Sequence, residues 1–163
     1  MIDADIYARA VAVLEAFRAR GWTLATAESC TGGLVAGALT AVPGSSDVVD
    51  RGFVTYSNAA KTAMVGVPEA TLVAHGAVSE PTARAMAQGA RAMAGVDAAV
   101  SITGVAGPGG GSPEKPVGLV HFACARRDGT VEHRERRFGD LGRAEIRRRS
   151  VLEALDLLAR AAD

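Results

Sequence analysis

Ser29 and Lys61 are the two side chains in this sequence whose types and settings suit nucleophilic catalysis. Ser29 lies in Thr26-Ala-Glu-Ser-Cys-Thr-Gly-Gly33, a polar, glycine-bearing turn between a short apolar run, Trp22-Thr-Leu-Ala25, and an apolar helix pattern, Leu34-Val-Ala-Gly-Ala-Leu39. The order strand, turn, helix predicts Ser29 at or near a helix N-terminus. There the first backbone N–H groups lack intrahelical partners and the dipole favours negative charge. Such a turn can hold a phosphate, or the oxyanion formed when a serine attacks a carbonyl. The plainer role is a helix cap by Ser29 or Thr31. Of 18 basic residues, sixteen are arginine and only Lys61 and Lys115 are lysine. Where arginine serves the solvated charges, a retained lysine points to a position that wants an amine able to lose its proton. Lys61 falls about one turn into a short helix for which Asn58 is the expected N-cap, beside Tyr56 and Ser57. A helix N-terminus disfavours a cation, so this amine should deprotonate readily and serve a serine as general base. A solvated surface lysine is the alternative.

Three further stretches bear on a site. Thr103-Gly-Val-Ala-Gly-Pro-Gly-Gly-Gly111 leaves a buried-type strand and lacks the side chains of a core segment. Its glycines permit close backbone approach, so successive N–H groups can converge on an anion. It matches neither a phosphate-binding Walker sequence nor a dinucleotide fingerprint. A substrate loop at the end of a strand is favoured over a flexible surface loop. Arg143 and Arg147 stand one turn apart at the start of the last helix, where dipole and guanidinium can act on one anion; only Arg143 is assigned to the site. The other arginines among the seven between 134 and 149 are interrupted by Glu135, Asp140 and Glu145, and read as a solvated strand edge and helix face. Cys30 is the rival nucleophile, but His75, His121 and His133 offer it no identifiable partner, so it reads as a packed residue. Glu28 either orients the site or is a solvated turn residue. No His, Cys, Asp and Glu spacing suggests a metal.

The elements that must position these residues alternate. A helix is expected over 5–20, with Ile6, Ala10, Val13, Leu14 and Phe17 inward and Gly21 as its stop. A strand to about Ala27 and a helix to about Ala41 flank the Ser29 turn. Phe53–Tyr56 reads as a strand, the Lys61 helix ends near Val65-Gly-Val-Pro68, and His75-Gly76 is a turn. Ser79-Glu-Pro-Thr82 starts an Ala- and Met-rich helix through Ala94. Asp97–Thr103 is a strand, and Asp128-Gly129 closes a hairpin of 117–125 with 130–138. Asp140 is the expected cap of a final helix with Ile146, Val151, Ala154, Leu155 and Leu158 inward. This pattern predicts an α/β fold, a single layered domain over 1–163 with a mixed β-sheet flanked by helices. The Ala-rich helix over 83–94 packs into the core or offers an outward face for a homo-oligomer.

Composition excludes several classes. A chain of 163 residues with formal net charge zero exerts no general attraction for nucleic acid or an anionic membrane. No apolar run approaches the ~20 residues of a membrane span, and Met1-Ile-Asp-Ala-Asp5 lacks the basic start of a signal peptide. Two cysteines, Cys30 and Cys124, make no disulfide framework, which fits a reducing cytoplasm.

Taken together, Thr26–Gly33, Gly52-Phe-Val-Thr-Tyr-Ser-Asn-Ala-Ala-Lys61, Val78-Ser-Glu80, Thr103-Gly-Val-Ala-Gly-Pro108 and Lys115-Pro-Val-Gly118 resemble the C-terminal domain of the competence/damage-inducible CinA family, in register over nearly the whole chain. Val105 is a mild variation. Stand-alone members are nicotinamide-nucleotide amidases. The resemblance implies hydrolysis of nicotinamide mononucleotide to nicotinic acid mononucleotide and ammonia, in pyridine-nucleotide salvage, with no cofactor. It places the family's serine–lysine pair on Ser29 and Lys61, its active-site tyrosine on Tyr56, and its threonine and arginine on Thr103 and Arg143. On this reading Glu28, Cys30, Thr31, Gly32 and Asn58 surround the reacting group, with N–H groups around Cys30–Gly32 as the oxyanion donors. Thr103, Gly104, Val105, Ala106, Gly107 and Arg143 hold the phosphate. The family's molybdopterin-binding-like fusion partner is not among these residues, which leaves the associated ADP-ribose pyrophosphatase activity out of reach. The rival from another class is a non-catalytic nucleotide-binding regulatory module.

Overall fold

A computed structural model describes residues 2–163. Helix α1 (Ala4–Arg20) opens on Asp3, whose carboxylate accepts from the Ile6 N–H, and stops at Gly21. Then follow β1 (Leu24–Glu28), α2 (Leu34–Thr40), β2 (Val49–Val54), α3 (Asn58–Val65), α4 (Glu69–His75) and α5 (Glu80–Ala94). The chain ends with β3 (Ala98–Gly104), the hairpin β4 (Leu119–Arg126) and β5 (Val131–Arg137), and α6 (Arg143–Ala161). The strands form one mixed sheet in the order β2-β1-β3-β4-β5. β1 runs parallel to β2 and β3, while β4 and β5 are antiparallel additions. The chain leaves β1 toward one side to make β2 and returns to its other side to make β3. The crevice at the carboxyl ends of β1 and β3 is therefore a topological switch point, where open α/β sheets place ligands.

Alternation along the strands builds a different core on each face. Leu24, Val100, Ile102, Val120 and Phe122 point toward α1, α2 and α6 and form a core with Phe17, Leu39, Ile146 and Leu158. The opposite face is lined by Ala25, Ala27, Ala99, Ala123 and Ala125, against Ala83, Met86, Ala87 and Ala90 of α5. Small residues on both sides let α5 lie close to the sheet, so the Ala-rich helix packs into the core along this face. α3 in turn closes on α5 at Gly89. A β-carbon there would stand 1.7 Å from the Val65 carbonyl oxygen, so only glycine fits.

The sequence expectations hold for the core positions of α1 and α6, which are buried as listed above for the pattern. They differ at element ends. β2 lies earlier than Phe53–Tyr56, because an edge strand with mostly exposed residues has no clean apolar alternation. Helix α4 was not expected: it buries no residue fully and has no side-chain cap. Ser57, not Asn58, caps α3, accepting from the Ala60 N–H at 3.0 Å. Gly142, not Asp140, precedes α6.

Candidate active site

Ser29 follows the last residue of β1 and continues its ladder, donating its N–H to the Ile102 carbonyl at 2.9 Å. The chain then reverses through Gly32 and Gly33, with φ of +57° and +100°, conformations that side chains with a β-carbon resist. The expected phosphate seat at the N-terminus of α2 is filled from within. Glu28 is fully buried, and its carboxylate accepts from the Val35 and Ala36 N–H groups at 2.9 and 3.0 Å and from the Thr31 hydroxyl at 2.7 Å. A buried carboxylate on a helix N-terminus satisfies both partners. Glu28 and the Thr31 side chain are thus framework, and neither faces solvent.

Lys61 is 1% exposed. It reaches back along α3 so that Nζ donates to the Thr55 carbonyl at 3.0 Å and the Tyr56 carbonyl at 3.4 Å, and stands 3.1 Å from Ser29 Oγ. Among the described residues no carboxylate pairs with it. Desolvation by burial pushes the amine below its ordinary pKa of 10.5, only partly opposed by the neighbouring Cys30. An amine whose charge burial disfavours, in hydrogen-bond contact with the hydroxyl of a serine that is 9% exposed, is a base–nucleophile pair in geometry. The Cys30 thiol is itself buried and pushed up to about 12, chiefly by desolvation, so it stays protonated and is no rival to Ser29.

The remaining candidates separate into those brought to the site and those turned from it. Arg143, the first residue of α6, donates from Nη1 to the Gly107 carbonyl at 2.9 Å and from Nη2 to the Tyr56 hydroxyl at 3.1 Å. One exposed guanidinium thus joins the strand-end loop to the segment before α3. The Tyr56 ring is 60% exposed. Its backbone touches the lysine, and its hydroxyl goes to Arg143. Asn58 is exposed on the outer side of α3, beside an open groove of about 600 Å³ shared with α4 and lined by Thr62, Leu72 and Val73.

The loop after β3 differs from the expected open nest. Thr103 is 1% exposed and donates to the Ala77 carbonyl at 2.8 Å. Val105 and Ala106 are buried, and the Val105 N–H is taken by the Leu119 carbonyl at 2.9 Å. Gly104 lies against Val120, where a β-carbon would come within 2.7 Å of a methyl. These residues are a structural extension of the sheet; the exposed part begins at Pro108. Lys115, the other lysine, donates to the His75 carbonyl at 2.6 Å and ties this loop to the end of α4.

Arg147, which sequence reasoning set aside, also reaches the turn. Its Nε donates to the Cys30 carbonyl at 3.1 Å and its Nη2 to the Thr31 carbonyl at 3.3 Å, so α6 grips the turn that carries Ser29. The spacing of Arg143 and Arg147 was the available signal: two arginines on one helix face serve one locality. The Gly32 N–H closes the turn onto the Ser29 carbonyl at 3.0 Å, which leaves Cys30, Thr31 and Gly33 as the N–H groups of the turn without a partner among the described residues.

Comparison with known proteins places this geometry in a family. The CinA C-terminal domain profile matches residues 7–162. A CinA-like protein of Anaeromyxobacter sp. (strain K) is 55% identical over 146 residues, covering 90% of this chain and 35% of that protein. A putative competence-damage inducible protein of Symbiobacterium thermophilum is 65% identical over 108 residues, covering 66% of this chain and 25% of its own length. The chain therefore spans about a third or less of these relatives. Among solved structures, competence/damage inducible protein CihA from Agrobacterium tumefaciens superposes with a TM-score of 0.98 at 53% identity, covering 100% of this chain and 99% of that one. A CinA superfamily protein from Klebsiella pneumoniae superposes with a TM-score of 0.91 at 38% identity, covering 96% and 97%.

Proposed function

Because this chain belongs to the CinA C-terminal domain family, we propose that it is an amidohydrolase using Ser29 as nucleophile and Lys61 as base, with nicotinamide mononucleotide as substrate. The observation that carries the chemistry is the buried, readily deprotonated Lys61 amine 3.1 Å from Ser29 Oγ. The likeness of the motifs to the family's nicotinamide-nucleotide amidases supports the substrate. Neutral Lys61 takes the hydroxyl proton as Ser29 Oγ attacks the carboxamide carbon. The carbonyl oxygen gathers charge against the Cys30 and Thr31 N–H groups. The lysine returns the proton to the nitrogen, ammonia leaves, and water repeats the sequence on the acyl-enzyme to release the acid.

Arg143 supplies the fixed positive charge for the phosphate. Its guanidinium is exposed and, among the described residues, bonded only to a carbonyl and a hydroxyl, with no carboxylate to compensate its charge. Binding the phosphate away from the reacting carbon orients the carboxamide over Ser29. The test is ammonia release from nicotinamide mononucleotide by the protein and its Ser29→Ala and Lys61→Ala variants. Turnover lost in both, with phosphate-ligand binding retained, supports the pair. Nucleotide binding without ammonia release by the unaltered protein overturns the reaction and leaves a regulatory binding module.

A further inference from the structure

We propose that Arg147 is a positioning residue for this reaction: it fixes the peptide groups after Cys30 and Thr31 so that the Thr31 N–H is held ready for the developing oxyanion. The inference rests on the amidase reading above and concerns what makes the turn a competent oxyanion site.

In a trans peptide the N–H points opposite to the carbonyl of the same plane. The Nε bond to the Cys30 carbonyl, at 3.1 Å, therefore sets the direction of the Thr31 N–H. The Nη2 bond to the Thr31 carbonyl, at 3.3 Å, sets that of the Gly32 N–H. The Gly32 N–H is spent on the Ser29 carbonyl. The Thr31 N–H has no partner among the described residues and stays available. Without the arginine the plane after Cys30 loses the one bond its carbonyl has among the described residues, whereas the plane after Thr31 keeps the Leu34 N–H on its carbonyl at 3.1 Å and its own N–H on Ser29. Preorganised donors act because they need no reorganisation when charge develops, so fixing the planes bears on the transition state.

Charge adds to direction. A guanidinium on the oxygen side of a peptide polarises it and makes its N–H a stronger donor. Nearby arginines of α6 are neutralised: Arg148 pairs with Asp3 and Asp5, and Arg149 with Glu145. Among the described residues Arg147 pairs with no carboxylate, so its full charge falls on the two peptides. Lysine in its place keeps a charge but lacks the planar fork that spans two carbonyls.

The experiment compares kcat and KM for ammonia release from nicotinamide mononucleotide in Arg147→Lys and Arg147→Gln, with thermal unfolding and the backbone amide resonances of residues 29–33 recorded on each. The expected result is kcat lowered about tenfold to hundredfold, less than the roughly hundredfold to thousandfold loss on deleting an oxyanion donor outright, with KM little changed. The Thr31 and Gly32 amide resonances move in both variants. Arg147→Lys falls between Gln and the unaltered protein. An unchanged kcat in folded variants, or a rise in KM alone, overturns the inference. Absence of ammonia from the unaltered protein overturns the amidase reading instead. The amide resonances then decide separately whether Arg147 orders the turn, and unchanged resonances remove that role too.

Discussion

Lys61 Nζ and Ser29 Oγ lie 3.1 Å apart, brought together across 32 residues of sequence by the reach of one buried side chain from α3 to the end of β1. Because burial lowers the amine pKa from 10.5, the base-competent fraction grows with pH from lower values than for a solvated lysine. kcat/KM for amide hydrolysis is expected to rise through an ionisation below 10.5 that belongs to the free enzyme. Lys61→Arg, which cannot supply a neutral base, removes that limb along with turnover. A rate independent of pH across the alkaline range overturns the assignment.

The same burial couples the site to stability. The folded pKa of Lys61 is depressed, so the unfolded chain binds the extra proton between the folded value and 10.5, and stability rises with pH over that window. Lys61→Met deletes this dependence. Urea unfolding of the two proteins at a series of pH values is expected to show the unaltered protein gaining on the variant as pH rises from the folded value toward 10.5, with no further change above it.

The Tyr56 hydroxyl accepts from Arg143, and only the Tyr56 backbone carbonyl accepts from Lys61. Tyr56→Phe is therefore expected to leave the pH profile in place and to loosen the arginine. Loss of one hydrogen bond of about 0.5–1.5 kcal/mol corresponds to a KM raised about two- to thirteenfold. A large fall in kcat with unchanged KM would instead show that the hydroxyl relays the proton.

Glu28 holds the N-terminus of α2 through two backbone N–H groups and the Thr31 hydroxyl. Glu28→Ala leaves these donors buried without an acceptor, and is expected to destabilise the fold by about 3 kcal/mol. Denaturant midpoints check this. Because the carboxylate sits behind the turn, Glu28→Gln should lose stability before it loses phosphate-ligand binding.

His121 and His133 form a chain outside the reacting pair. The His121 and His133 rings meet at 2.9 Å, His133 Nδ1 stands 3.0 Å from Glu80, and His121 Nε2 stands 3.7 Å from Glu135. Desolvation by burial lowers both below their ordinary 6.5, with the His133 charge adding to the shift of His121, against the opposing pull of Glu80 and Glu135. The folded state thus resists protonation; the stability contribution is complete above pH 6.5 and is lost as pH falls through the folded values. His121→Phe is expected to flatten the acid side of a stability–pH curve measured by denaturant unfolding.

Much of the fold was legible because its helices bury periodic faces: Ile6, Val13 and Phe17 of α1 and Ile146, Leu155 and Leu158 of α6 announce themselves. β2 and α4 were not, since an exposed edge strand and a helix with no fully buried residue leave little apolar period. Within the candidate site, glycines and a strand–turn–helix order pointed to the Ser29 turn. They could not reveal that Glu28 fills the helix N-terminus from inside, because a buried and a solvated glutamate look alike in sequence. The loop at 103–107 misled for a related reason. Glycine reads as open backbone, yet here Gly104 serves close packing on Val120 and the N–H of Val105 belongs to the sheet. The grip of Arg147 depends on where α6 lies over the turn, a tertiary fact whose one local trace is the spacing from Arg143.

The touch of Gly89 on Val65 also sets a mechanical tolerance. Val65 lies four residues beyond Lys61 on α3, about 6 Å along the helix axis. α3 therefore behaves as a short lever resting at one end on a bare backbone, with the amine at the other. A methyl group at position 89 would jack that end outward, and a displacement near 1 Å at the amine is enough to part it from the serine hydroxyl. The alignment of base and nucleophile is gauged from the neighbouring helix on the same face of the sheet, by a residue with no side chain and no contact with either.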